Sequence, residues 1–152
     1  MFLTVHGAVG LAASQYFSNP LLAFLIGFIL HYVFDIIPHG DTKVSKKYWN
    51  PIHITLAGLI DISVIFSLIL LYIWHKGQLL PSNQIMAILG SILPDLIQFL
   101  YFFCPKNKLI TKINNFHEFF HGIISKKFEF NLYWGLIFQL LILIIFILIT
   151  IL

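Results

Sequence analysis

The stretch His31 to Asp41, HYVFDIIPHGD, carries His31, Asp35 and His39 at four-residue intervals. On a helix this spacing puts them on one face until Pro38 ends the helix, and Asp41 follows in the turn. Imidazole and carboxylate side chains are the ligands that a divalent metal takes, zinc first among them, with manganese or another ion as alternatives. A second pattern, His117-Glu118-Phe119-Phe120-His121, matches H-E-x-x-H. Its two histidines would face one way on a helix to bind zinc, with the glutamate beside them to take a proton from metal-bound water. The single cysteine, Cys104, excludes an internal disulfide and a thiolate cluster, so nitrogen and oxygen must hold any metal.

The elements that must position these residues are membrane helices. The 152 residues are 59% hydrophobic and 10% charged, with a mean hydropathy of +0.93, which is the composition of an integral membrane protein. One all-α domain over 1–152 is expected, a bundle of about five transmembrane helices plus one amphipathic interfacial helix. The spans are read at about 2–17, 21–38, 52–74, 84–103 and 132–152. The first is read as a retained helix and not a cleaved signal peptide, because it lacks a basic start and turns at Ser18-Asn19-Pro20 into another apolar run. Gly7, Gly10, Ser14 and Gly27 offer small surfaces for close approach of the first two helices. Pro94 is expected to kink the fourth span beside Asp95. Residues 106–127 place Leu109, Ile113, Phe116, Phe120 and Ile123 on one stripe between lysines, the pattern of a helix lying in the interface. The last span is aliphatic without an ionisable residue, an anchor or packing wall.

The net charge of +3 comes from nine lysines and no arginine. They cluster near the membrane edges, which reads as topology and lipid headgroup contact, with no nucleic-acid partner. Alternating spans put eight lysines on the side of the N-terminus and only Lys76 opposite, so a multi-pass protein of the inner or plasma membrane with a cytoplasmic N-terminus is expected. Helical rise then sets depth from that surface: His6 at roughly 7 Å, Asp35 at roughly 5 Å, and His31, Asp61 and Asp95 at roughly 12–14 Å. His39, Asp41, His53, His117 and His121 fall at the rim. Each aspartate near mid-membrane costs about 2.5–3.5 kcal/mol, and a bound metal would compensate Asp61 and Asp95. Protonated aspartates, Asp–His or Asp–Lys pairs, or water in a crevice would do so too. Convergence of so many ligand types on one pocket favours the metal or catalytic reading.

T-x-H-x-x-x-G at Thr4, His6 and Gly10, the HYVFDIIPHGD helix end, LPD at Leu93 to Asp95, and H-x-x-x-H at His117 and His121 resemble the small membrane-bound metal-dependent hydrolases of the YdjM type. The resemblance covers most of the chain except the fifth span. It implies His6, Asp35, Asp95, His117 and His121 as metal ligands, with His31 and Asp61 further ligands or orienting partners; the H-E-x-x-H pattern makes Glu118, with Asp61, a catalytic candidate. Where that pattern has a further carboxylate after LPD, this chain has Gln98, which weakens the case for a second ion. The implied substrate is a phospholipid or other phosphoester at the cytoplasmic leaflet. An intramembrane zinc peptidase using HEFFH, and a non-catalytic metal-binding or transport protein, are the alternatives. Sequence leaves the oligomeric state open.

Overall fold

Asparagine starts three of the helices in this structure, a computed structural model that describes residues 1–40 and 51–152, with Pro51 described in its backbone only. Helix α1 covers Leu3–Ala13 and passes into a 3-10 turn at Ser14–Tyr16; α2 covers Pro20–Asp35, α3 Pro51–Lys76, α4 Ser82–Phe103, α5 Lys108–Ser125 and α6 Leu132–Ile151. The Asn19 carboxamide accepts from the amides of Leu21 and Leu22, with Pro20 in the first turn where its missing N–H costs nothing. Asn107 does the same for Leu109 and Ile110, and Asn131 for Trp134. Asp41 and the loop residues Lys43, Lys46, Lys47, Tyr48 and Trp49 lie outside the described residues.

Small residues decide which helices come close. Gly10 of α1 and Gly27 of α2 both lie against the Ala87 carbonyl of α4, so closely that a methyl group at either would collide with it. Expected to join α1 to α2, these glycines instead bring both helices onto α4. Each sits on a ridge with four-residue spacing: His6-Gly10-Ser14 on α1, Ala23-Gly27-His31-Asp35 on α2, Ala87-Ser91-Asp95 on α4. All of these residues are buried except Asp95, which is partly so. Side chains four apart share a face, so the rows that press three backbones together carry His6, His31, Asp35 and Asp95 into one place one turn further along.

Helix direction adds to this convergence. The first turn of α1 bonds to α3 through Asp61 and to α6 through Gln139, while its far end bonds through Gln15 to the end of α6. Asn83, at the start of α4, donates to the carbonyls of Ser14 and Phe17 at that same far end. The starts of α1, α3 and α6 therefore share one end of the bundle with the finishes of α2 and α4.

Three helices are long and apolar enough to cross a membrane: α3 over Ile52–Lys76, α4 and α6. This is compatible with a membrane protein. The five crossing helices expected reduce to these three on length. α1 has 11 residues and α2 has 16, against about 20 for a full crossing. The 3-10 turn closes α1 early, and α2 stops at Asp35, three residues before Pro38 disfavours helix in the residues ahead of it. α3 packs chiefly on α1, and no residue of its most apolar window is buried. α4 continues as helix through the buried Pro94. α5 turns Asn114 and His117 toward α2 and α4 and leaves Leu109, Phe116, Phe119 and Ile123 exposed, so the polar residues face inward and half of the expected apolar stripe faces outward.

Candidate metal centre

Asp35 is the centre of the polar cluster. Its Oδ1 accepts from His6 Nε2 and from the Met1 amino group, each at 3.0 Å. Its Oδ2 lies 3.1 Å from His31 Nε2 and 2.9 Å from His117 Nε2, yet makes no hydrogen bond to either. The two imidazole nitrogens are 3.0 Å apart. Asp95 Oδ1 stands 3.3 Å from His117 Nε2 and 3.8 Å from His31 Nε2, and its Oδ2 is buried without a hydrogen bond, 3.9 Å from His6 Nε2. Ligands of one zinc at bond lengths near 2.0–2.1 Å are about 3.3 Å from each other in a tetrahedron. His31, Asp35, Asp95 and His117 thus have the mutual spacing of a first coordination sphere, with one donor atom from each lying within 4.8 Å of the rest.

Backbone geometry orients these donors. His31 Nδ1 lies 2.8 Å from the Ser91 carbonyl, which can only accept, so Nδ1 carries the hydrogen and the Nε2 lone pair faces Asp35. The ring of His6 stacks on His31 with centroids 4.1 Å apart and a tilt of 30°, which places His6 behind Asp35 Oδ1 and outside the four-residue group. At His117, burial works against the charged ring, but the carboxylates of Asp35 and Asp95 outweigh it and raise the pKa to about 9. The field in this space favours positive charge, and a divalent cation would meet it more fully than one proton.

A second group contains Asp35 with His39 and His121. His39 lies beyond the end of α2, in the turn expected after Pro38. A turn at Gly40, with φ of +88°, returns its fully buried ring to the cluster. The H-E-x-x-H histidines therefore fall in two groups that share Asp35, with ring centroids 6.0 Å apart. Glu118 lies on the wall of an open cleft of about 360 Å³, which Asp61, Asp95, Gln98, His117 and His121 also line. Its Oε1 accepts from Gln98 Nε2 at 2.7 Å. A separate apolar crevice of about 280 Å³ between α1, α3 and α6 contains none of the cluster residues.

No protein family, curated protein or solved structure matches this chain.

Asp61 stands apart from the metal groups. It accepts from the amides of Leu3 at 2.6 Å and Thr4 at 3.0 Å and from the Thr4 hydroxyl, so it caps the first turn of α1 from α3. A carboxylate at a helix N-terminus satisfies open amides and faces the positive end of the dipole. Asp61→Ala is expected to cost about 1–2 kcal/mol of stability through loss of this cap while metal content is unchanged. Thermal unfolding and elemental analysis check it; loss of metal at native stability would return Asp61 to the chemistry.

Two further residues had no signal in their local sequence. Glu129 Oε1 accepts from the Gly40 amide at 2.7 Å, and Gln139 Nε2 donates to the His39 carbonyl at 2.9 Å. Both are buried and hold the turn that presents His39. α6, expected to be a plain wall, thereby takes part in building the site. A glutamine alone in an aliphatic helix was the one clue to Gln139.

Proposed function

We propose that this protein is a membrane-embedded, metal-dependent hydrolase acting on a phospholipid or another phosphoester. The observation that carries this reading is the buried Asp35 Oδ2, which makes no hydrogen bond although it lies 3.1 Å from His31 Nε2 and 2.9 Å from His117 Nε2, beside Asp95 on the wall of an open cleft. A buried carboxylate oxygen left without a hydrogen bond is costly, and sites that use such atoms for chemistry are where the cost persists.

His31, Asp35, Asp95 and His117 would hold the ion, zinc being best suited to two nitrogens and two carboxylates in a compact set. Once bound, the ion supplies Lewis acidity toward a phosphoryl oxygen and lowers the pKa of coordinated water. Glu118, on the cleft wall beside His117, takes the proton released when water attacks phosphorus. Gln98, occupying the position where a further carboxylate was expected, fixes the Glu118 carboxylate by its amide hydrogen bond. α1 and α2 pack on α4 and would share the bilayer with α3, α4 and α6, with the cleft at headgroup level on the cytoplasmic side. The outward apolar residues of α5 would sit in that interface.

The peptidase alternative needs His117 and His121 on one ion, and their separation into two groups disfavours it. The carrier alternative needs access from both ends, whereas the metal-ligating groups among the described residues gather at one.

Glu118→Gln is expected to leave metal content unchanged and to lower phosphodiester hydrolysis by about 10²–10⁴-fold, the range for a lost general base. Zinc-loaded protein in mixed micelles of zwitterionic and anionic phospholipid provides the assay, with product phosphate or headgroup measured. Metal-loaded wild type that cleaves no phosphoester in such a panel would remove this function.

A further inference from the structure

We infer that Asp35, His39 and His121 bind a second divalent ion, so that Asp35 is shared by two ions in a dinuclear centre. This rests on the hydrolase reading only for its use, since the site itself follows from the geometry of the three side chains. His39 Nδ1 lies 2.7 Å from the Ile37 carbonyl, which makes Nδ1 the donor and leaves the Nε2 lone pair turned into the protein. That lone pair is 3.0 Å from His121 Nε2, and the two rings stand at 82° to each other with centroids 4.7 Å apart. Two imidazole nitrogens held this close are bridged, either by the hydrogen of His121 Nε2 or by a cation that takes its place. A carboxylate oxygen of Asp35 lies within 4.8 Å of both, which supplies the anionic ligand a metal adds to two imidazoles.

The setting is built for a ligand. His39 is fully buried, and its turn is held from both sides, the Gly40 amide on Glu129 and the His39 carbonyl on Gln139. Hydrogen bonds that fix ligand orientation are the usual support of a metal site. The three donors among the described residues do not by themselves fill a coordination sphere, and His121 lines the cleft that also receives His117 and Glu118. A pair of ions joined by a carboxylate stabilises both the attacking and the leaving oxygen of an in-line displacement at phosphorus. The second ion thus accords with the phosphoester reading. It also gives the H-E-x-x-H histidines separate duties, one for each ion.

The experiment is a zinc titration of the full chain, purified without a polyhistidine tag, stripped with chelator and placed in nanodiscs. Ions per chain are counted by elemental analysis, and cobalt(II) substitution reports magnetic coupling. Wild type is expected to hold two zinc ions, with coupled cobalt(II) centres. His39→Gln and His121→Ala are each expected to hold one, with uncoupled cobalt, while native-like unfolding temperatures are retained. His121 is only partly buried, so its variant tests the site even where His39→Gln disturbs the turn. One ion in wild type overturns the inference, as do two ions in the folded His121→Ala protein or the loss of both from it. One ion together with intact phosphoester hydrolysis would remove the second site and leave the proposed function standing. Two ions without hydrolysis would do the reverse.

Discussion

Asp35→Asn is expected to strip the protein of metal and to lower its stability more than any other single change in the cluster. The substitution keeps the volume of the side chain and removes its charge. One oxygen of Asp35 accepts from His6 and the Met1 amino group, and the other lies 3.1 Å from His31 and 2.9 Å from His117. An amide can still accept from His6 and the Met1 amino group, but it carries no charge, so it leaves the buried cationic partners without their counter-charge and offers a metal no anionic ligand. Removing one partner of a buried ion pair costs about 3–5 kcal/mol. For a chain of this size that corresponds to a fall in Tm on the order of 10 °C. Asp95 is the internal control. Its side chain is 15% exposed and borders the cleft, so Asp95→Asn should also lose zinc while the unfolding temperature falls much less. Added zinc should raise the Tm of wild type through binding linkage and leave that of Asp35→Asn unmoved. Elemental analysis and thermal scans with and without zinc read all of this. Full zinc occupancy in folded Asp35→Asn would exclude Asp35 as a ligand.

Much of this centre was legible because helical rise converts sequence position into depth. His31, Asp35, Asp95 and His117 were expected at one end of the bundle, and they meet there in one group. Depth carries no information about direction, and this accounts for the differences. Asp61 lies at the expected end but points to the amides of α1, where it caps a helix. His6 reaches Asp35 from the side of the other oxygen and supports the carboxylate. The helix that carries His31 and Asp35 was expected to run to Pro38, but α2 ends at Asp35. His39 arrives through a turn whose anchors, Glu129 and Gln139, lie about a hundred residues away in sequence. No local pattern could have paired them. The two short helices were likewise hidden, since α1 and α2 are as apolar as a membrane span and only their turns at Ser14–Tyr16 and Asp35 shorten them.

Gly27→Ala is expected to damage stability and metal affinity together, because the ridge that packs α2 on α4 is the ridge that carries its ligands. A Cβ at Gly27 would strike the Ala87 carbonyl, and backbone cannot give way as a flexible side chain can. The helices must separate instead. Overpacking of this kind costs about 1–3 kcal/mol. His31 and Asp35 lie one and two turns beyond Gly27 on the same face, and Asp95 lies two turns beyond Ala87 on α4, so separating the helices at Gly27 also moves His31 and Asp35 away from Asp95. Zinc affinity should fall about 10–100-fold, the scale found when ligand orientation is disturbed. Gly58→Ala provides the comparison: nothing lies within 4 Å of a Cβ at that position, and alanine favours helix over glycine by up to about 1 kcal/mol. That variant should match or exceed wild type in stability and bind zinc normally. Gly27→Ala with normal zinc affinity and lowered stability would separate the packing of α2 and α4 from the alignment of their ligands, and the site would then have to be held in register by α5 and the His39 turn.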